Sequence, residues 1–321
     1  MASAIDVSGL TAYIEQESFP LITKALIGGR TAAMLTPQLG VKGKTKVNLF
    51  DVDVNMQSGT GCTWAPDGDI TYTQREIDAK NVNIQMEFCP KELEGYYLRT
   101  QLAAGAHTES LPFEEQFANY LVEKIQDQIE SVIWNGDVSA AAGTNNDMFD
   151  GLLHDAASFT DCNTSGGAFG GTPLSSALTI SNILEAIERI YVDTPSAAVT
   201  QNDFKVFMGT DRFRVLAAAL MNGNGLSSAG GQLNNYTSDF DPMRLVFPGT
   251  NIEVVGVRGL ETGDDVYGFS LSNAILGMDL ESDSSSLEMW YSQDDRKFKV
   301  AMEFTMGTQF AYPDHVGKVA L

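Results

Sequence analysis

The longest hydrophobic pattern in the chain begins at Pro112 and has the three-to-four-residue spacing of one helix face. Apolar side chains at positions 113, 117, 120, 121, 125, 129, 132 and 133 form that face. Pro112 suits a first helical turn, and Asn135-Gly136 provides a stop signal. The pattern predicts an amphipathic helix over 112–134, roughly 35 Å long at 1.5 Å per residue.

Two segments alternate strictly between apolar and polar residues, as half-buried strands do. Val82, Ile84, Met86 and Phe88 define the first strand, which ends at Pro90. The second strand has apolar positions at 298, 300, 302, 304 and 306. We expect these two strands to pair, and together with the long helix they predict an α+β fold.

A third alternating pattern predicts a two-stranded ribbon between residues 44 and 80. Val47 and Leu49 begin it, and after a one-residue slip the alternation continues at positions 50, 52, 54 and 56. The return strand passes through Ile70 and Tyr72, and the turn region over 55–68 is rich in Gly and polar residues. An isolated ribbon is marginally stable in water, so this one should need a partner surface.

The second half of the chain predicts a separate set of elements. A glycine-rich stretch over 166–171 indicates a loop or hinge, and a second amphipathic helix follows over 180–190. Phe204, Val206 and Phe207 predict a short buried strand, and Gly209-Thr210-Asp211 begins another helix. Residues 221–242 predict an exposed loop, and strands return at 252–257 and 266–271.

Composition excludes several classes of function. The 321 residues carry a formal charge of -22, which disfavours binding of nucleic acid through a basic surface. No apolar run is long enough for a membrane span, and the N-terminus lacks a signal-peptide pattern, so we expect a cytosolic origin and no membrane partner. Cys62, Cys89 and Cys162 form no CxxC pair and are expected to be free thiols.

Motifs for catalysis, metal binding and cofactor binding are absent from the sequence. Asp51-x-Asp53-x-Asn55 starts like a calcium loop, but Met56 replaces the required Gly and Cys62 the closing Glu. The glycine-rich stretch is not a phosphate-binding loop, and no GxSxG elbow is present. The three histidines, at 107, 154 and 315, belong to no ligand motif. We therefore expect no enzyme, no metal and no cofactor.

The order of these elements resembles that of tailed-bacteriophage major capsid proteins of the Hong Kong 97 (HK97) type. The resemblance is carried by the long helix running into WNGD and then DGLL, by FKVFMGTDRFRVLAAALMNGNG, and by the ending FAYPDHVGKVAL. It implies an N-terminal arm over 1–43 and an extended loop over 44–80. It further implies a peripheral domain over 81–155 with spine helix 112–134, an axial domain over 156–285, and return strands of the peripheral domain over 286–321.

The function that the resemblance implies is self-assembly, through pentamers and hexamers, into an icosahedral head that encloses double-stranded DNA without sequence-specific binding. Portal, scaffolding and decoration proteins are the further partners it allows. The implied location is the virion capsid, assembled in the host cytoplasm. Two alternatives stay open: an encapsulin-like nanocompartment shell, which has the same fold but encloses enzymes, and a soluble enzyme.

Contacts between subunits are expected at the arm and the extended loop. Residues 1–50 carry five basic and three acidic side chains, so a mildly basic arm could lie on the acidic body of a neighbour. Trp64 is either an anchor in a neighbouring subunit or an aromatic ring folded back on its own hairpin. Deletion of residues 1–40 is expected to leave a folded body that no longer assembles. The contact candidates are Arg30, Lys42, Lys44, Lys46, Met56 and Trp64.

Overall fold

The structure is a computed structural model that describes residues 25–26, 28–56, 67–89, 113–141, 143–175, 177–221, 243–247, 249–261, 263–279, 286–295 and 297–321. Its helices are α1 (Arg30–Met34), α2 (Phe113–Asn135), α3 (Ile183–Asp193), α4 (Ser196–Val199) and α5 (Thr210–Met221). Its strands are β1 (Pro37–Leu39), β2 (Lys44–Val54), β3 (Gly68–Asp78), β4 (Lys80–Phe88), β5 (Thr160–Asp161), β6 (Phe204–Gly209), β7 (Arg244–Val246), β8 (Glu253–Val257), β9 (Val266–Ser270), β10 (Ala274–Met278), β11 (Ser286–Ser292), β12 (Lys297–Phe310) and β13 (Gly317–Val319). The predicted mixture of helix and sheet is confirmed.

The first core lies between helix α2 and a sheet in which β12 is central. Strand β12 pairs antiparallel with β4, β10 and β11, and β1 pairs parallel with β10. The predicted pairing of the two alternating strands is confirmed, because Val82 is opposite Phe304 and Ile84 is opposite Met302. From the helix, Leu121, Ile125, Ile129 and Val132 are buried in the same cluster.

Helix α2 has nearly the bounds that its pattern predicts. It ends at Asn135, and the Gly136 amide donates to the Val132 carbonyl at 2.8 Å. Gly136 fits here because an added Cβ would lie 2.2 Å from the Phe149 carbonyl oxygen. Tyr120 departs from the predicted apolar face: it is 61% exposed, with the Lys124 ammonium 5.6 Å from its ring centroid. The Lys124 stem and charge can therefore cover this ring at the surface.

The second core lies on a six-stranded sheet with the strand order β5-β13-β9-β6-β8-β7. Helices α3 and α5 supply buried side chains to it, including Ile187, Ile190 and Leu216. The predicted strand, turn and helix over 204–221 are present as β6 and α5. Trp134, near the end of α2, lies in the first core with two rings from strands β6 and β9 of the second sheet: its ring centroid is 5.4 Å from that of Phe207 and 6.1 Å from that of Phe269.

The glycine-rich stretch predicted as a loop or hinge is attached to helix α3. Arg189 is fully buried and donates to the Thr172 carbonyl at 2.7 Å, and its guanidinium lies 4.9 Å from the Phe169 ring centroid. The Phe169 amide donates to the Asp193 carboxylate at 2.8 Å. Two polar side chains of helix α3, Arg189 and Asp193, thus hold the backbone of the glycine-rich stretch in place through hydrogen bonds.

The segment predicted as the N-terminal arm is partly built into the first core. Leu26, Ala32 and Leu35 are buried there, and β1 forms an edge of the first sheet. The region predicted as axial also contributes, because β10 belongs to the first sheet and not to the second. Among the described residues, no helix is long and apolar enough to cross a membrane.

Candidate assembly surfaces

Strands β2 and β3 form a separate two-stranded ribbon with an unbroken register. Lys44 is opposite Asp78 at the base, Phe50 is opposite Tyr72, and Val54 is opposite Gly68 near the tip. The one-residue slip predicted after Leu49 is therefore wrong. The alternation of apolar and polar residues shifts by one position in the sequence because the apolar residues lie on one face of the ribbon at its base and on the opposite face at its tip.

One face of the ribbon tip is apolar and exposed. We name it the apolar ribbon face and define it by Phe50, Val52, Val54, Ile70 and Tyr72, which share one side because directly paired residues do so. Phe50 is 66% exposed and Tyr72 is 76% exposed. Contiguous apolar patches of this kind mark interaction sites on soluble proteins.

The opposite face of the ribbon is apolar and buried at its base, and polar and exposed at its tip. At the base, Ile77 is fully buried against Val41 and Ala79, with Val47 packed on them. At the tip, Asp53 lies directly across from Asp69, and both are exposed. The base is thus anchored to the body through one face, while the apolar tip residues point away on the other.

The basic contact candidates near the ribbon have partners within their own subunit. The Lys44 ammonium lies 2.8 Å from the Glu76 carboxylate, and this hydrogen bond and the accompanying charge raise the pKa of Lys44. Lys46 is across the ribbon from Glu76, and Lys42 lies 3.7 Å from the buried carboxylate of Asp279. Met56 is 99% exposed, whereas Trp64 lies outside the described residues. Their predicted contacts with a neighbouring subunit stay predictions.

An apolar groove runs between strand β4 and helix α2. Its volume is about 360 Å³, and Ile84, Met86, Leu121 and Ile125 are among the side chains that line it. Met86 is 46% exposed. Together with the apolar ribbon face, the groove gives each subunit two exposed apolar surfaces on different elements.

Arg30, the remaining contact candidate, begins helix α1 next to a buried polar cluster. Both carboxylate oxygens of Glu130 accept from the Thr31 amide at 3.1 Å, and the Thr31 hydroxyl donates to the same carboxylate. That hydroxyl also accepts from the Trp134 indole at 2.7 Å. Burial raises the pKa of Glu130, against the opposing effect of the Thr31 hydrogen bonds and the Arg30 charge. We call Thr31, Glu130 and Trp134 the arm cluster.

The arm cluster fastens the N-terminal segment to helix α2 at very close range. A Cβ on Gly29 would lie 2.8 Å from a Glu130 carboxylate oxygen. A Cβ on Gly259 would lie 2.3 Å from the Trp134 ring, so the segment after β8 packs equally closely on the helix. Three parts of the chain, far apart in sequence, therefore meet at Glu130 and Trp134.

Replacing Thr31 by Val should lower the free energy of unfolding by about 2–3 kcal/mol. The change keeps the side-chain volume, but it removes the hydroxyl that accepts from the buried Trp134 indole and that donates to the buried Glu130 carboxyl group. Urea unfolding followed by Trp fluorescence measures the loss. The matched control is Thr31→Ser, which keeps the hydroxyl and should lose less than about 1 kcal/mol. A loss in Thr31→Val that does not exceed the loss in Thr31→Ser would contradict the prediction, because the hydroxyl would then contribute no more than the methyl group.

Sequence reasoning did not identify the arm cluster. Thr31 and Glu130 are 99 residues apart, and neither is in a motif. One signal was present: Glu130 follows Ile129 and precedes Val132 and Ile133 on a helix whose other side is charged. A carboxylate next to the buried stripe indicates a buried partner.

Several solved structures that match this fold are capsids or procapsids. A chain of the satellite phage P4 procapsid, in a structure that includes the size determination (Sid) protein, matches with a TM-score of 0.55 and 10% identity, over 95% of this chain and 99% of that one. The capsid of the native GTA particle matches with a TM-score of 0.54 and 11% identity, over 92% and 90%. The capsid of Myoviridae phage XM1 matches with a TM-score of 0.52 and 14% identity, over 90% of each chain.

No protein-family model and no curated protein matches the sequence. At 10–14% identity, the structural likeness establishes the fold. The fold of this chain is that of phage capsid proteins, and the resemblance to the HK97 type is confirmed at the level of the fold.

Proposed function

We propose that this chain is the major capsid protein of a tailed phage, which self-assembles into the icosahedral head that encloses the viral double-stranded DNA. The observation that carries the proposal is the match of 95% of the chain to a chain of the satellite phage P4 procapsid structure, over 99% of that chain's length. A near-complete match in both directions leaves little of this chain for a different activity. Its role is structural and not catalytic.

The parts of the subunit take the roles that the HK97-type resemblance implies. Helix α2 is the spine helix of a peripheral domain built on the first core, and the second core is the axial domain. The ribbon is the extended loop, and the return strands are β11 and β12. Two boundaries move: Ala25, Leu26, Ala32 and Leu35 of the predicted arm join the peripheral domain, and so does β10, because they pack in the first core or its sheet.

Self-association uses the apolar ribbon face. Its five side chains are between about half and three-quarters exposed in a single subunit, and burying that remaining surface favours association by about 1–2 kcal/mol for each one covered. The groove between β4 and α2 of an adjacent copy offers an apolar surface that could receive it. Arg30, Lys42, Lys44, Lys46, Met56 and Trp64 are further contact candidates in pentamers and hexamers.

The remaining partners follow from the role of a shell. The net charge of -22 suits a wall that encloses DNA without gripping it, because repulsion between the wall and the phosphates keeps the genome mobile. Portal, scaffolding and decoration proteins are separate chains in this proposal. The subunit assembles in the host cytoplasm and resides in the virion capsid.

Purified recombinant protein should form closed shells, tubes or rings of five and six subunits in negative-stain electron microscopy. Raising the salt concentration should favour them, because salt screens repulsion between acidic subunits. Monomers at all salt concentrations, both alone and with a coexpressed scaffolding protein, would contradict the proposal. Particles isolated from the native source should contain DNA, and particles filled with an enzyme instead would identify a nanocompartment.

A further inference from the structure

A histidine and two aspartates meet where the chain leaves helix α2. The His154 Nδ1 atom lies 3.5 Å from the Asp150 carboxylate and 3.8 Å from the Asp137 carboxylate. One ligand atom from each of the three residues lies within 4.8 Å of the other two. The group therefore offers one imidazole nitrogen and two carboxylate oxygens as possible metal ligands.

The Nδ1 atom of His154 faces both carboxylates. An Nδ1–H group donates a hydrogen bond to them, whereas the other neutral tautomer presents a lone pair that, together with the two carboxylates, forms a set of ligands for a cation. With metal–nitrogen and metal–oxygen bonds of about 2.0–2.2 Å, tetrahedral ligands are separated by roughly 3.4 Å. The observed distances of 3.5 and 3.8 Å are close to that separation.

The three side chains are positioned by backbone that packs tightly on the helix. The amides of Gly151, Leu152 and Leu153 donate to carbonyls of Gly136, Ile133 and Trp134, at 2.7–3.1 Å. The Ser139 amide donates to the Asp137 carboxylate at 2.8 Å, and the Val138 amide donates to the Asp150 carboxylate at 3.0 Å. Pre-positioned ligands with outer hydrogen bonds are typical of metal sites.

We propose that Asp137, Asp150 and His154 bind a divalent transition-metal ion of the zinc type. The mixed nitrogen and oxygen ligands favour such an ion over Mg²⁺, which prefers oxygen ligands and retains its waters. Two carboxylates and the negative end of the α2 dipole supply the neutralising charge. The ion fastens the turn at 150–154 to the end of α2, and water completes its coordination. The site is independent of the proposed shell function.

The sequence prediction of no metal site rested on the absence of a motif. Asp137 is separated from Asp150 and His154 by a loop, so the spacing fits no recognised ligand pattern. The fold closes this loop and brings the three side chains together. A search for motifs along the sequence cannot detect ligands assembled in this way.

Isothermal titration of the unassembled full-length chain with Zn²⁺ tests the proposal. We expect one ion per subunit, a raised melting temperature, and no binding of Mg²⁺ under the same conditions. His154→Ala and Asp150→Asn should each weaken Zn²⁺ binding at least about tenfold, the smallest loss usually seen even for an outer-shell partner. His154 is exposed, and Asn at position 150 keeps an acceptor for the Val138 amide, so both variants should fold.

Asp155→Asn is the matched control, because it removes the same charge one residue beyond His154, from a side chain paired with Arg75. Its affinity should equal that of the unmodified chain. Absence of Zn²⁺ binding, or full affinity in His154→Ala, would overturn the proposal and leave a hydrogen-bonded histidine beside the two carboxylates. Absorption spectra of the chain loaded with Co²⁺ in place of Zn²⁺ distinguish binding at this site from binding at the cysteines. Thiolate-to-metal charge-transfer absorption would show that the ion binds to cysteine, and this result would also overturn the proposal.

Discussion

Replacing Val52 and Ile70 together by Glu should abolish shell assembly and leave the subunit folded. The two residues are directly paired on the apolar ribbon face, and both are about half exposed in the single subunit. Burying the exposed half of each side chain contributes about half of the 1.5–3 kcal/mol expected for full burial, so their loss costs about 1.5–3 kcal/mol per contact. At about 1.4 kcal/mol per factor of ten, each contact weakens roughly 10- to 10²-fold, before the desolvation of two new carboxylates is added.

Size-exclusion chromatography and electron microscopy measure assembly, and thermal unfolding measures the subunit. The matched control is Thr71→Glu with Thr73→Glu, which adds the same charge to the opposite, exposed face of the same strand. We expect the control to assemble at moderate salt. If both variants fail equally, added repulsion explains the defect and the apolar ribbon face does not. If both assemble, this face is not a contact.

The elements that the sequence predicts correctly are those with a single buried face along their whole length. Helix α2 and strands β4 and β12 each present one apolar face to the same core, so their periodicity alone locates them. The ribbon does not meet this condition. Its base buries Ile77 on one face, while Phe50 and Val52 lie exposed on the other face. The prediction assumed that all apolar residues lie on one buried face, and this assumption required a one-residue slip. The observed register contains no such slip.

Contacts between distant segments account for what the sequence did not predict. Thr31 and Glu130 meet only because the first core brings helix α1 onto α2, and His154 meets Asp137 only because the intervening loop closes. The position of Glu130 beside the buried stripe indicates a buried partner but does not identify Thr31, and the spacing of the residues indicates neither pair. The same limitation affected the arm, which was expected to contact neighbouring subunits, whereas Leu26 and Leu35 lie in the core of their own subunit.

Deletion of residues 1–40 should prevent the subunit from folding stably, whereas deletion of residues 1–24 should leave it folded. The longer deletion removes the buried side chains of Leu26 and Leu35, the Thr31 partner of Glu130, and strand β1. Loss of two buried leucines costs roughly 4–10 kcal/mol at about 2–5 kcal/mol each, which is comparable to the whole stability of a typical domain. The earlier expectation of a folded body after this deletion is therefore replaced.

Thermal unfolding by circular dichroism compares the two deletions with the full chain. A full-length variant with Leu26→Ala and Leu35→Ala separates the core from the arm, because it keeps residues 1–24 and should lose most of the same stability. An unchanged melting temperature after deletion of residues 1–40 would mean that these side chains contribute nothing to the core. The deletion of residues 1–24 then tests the arm itself, because the contacts of Leu26, Thr31 and Leu35 stay in place. Failure to assemble would assign residues 1–24 a role between subunits. Normal shells would show that the ribbon and the rest of the subunit are sufficient for assembly.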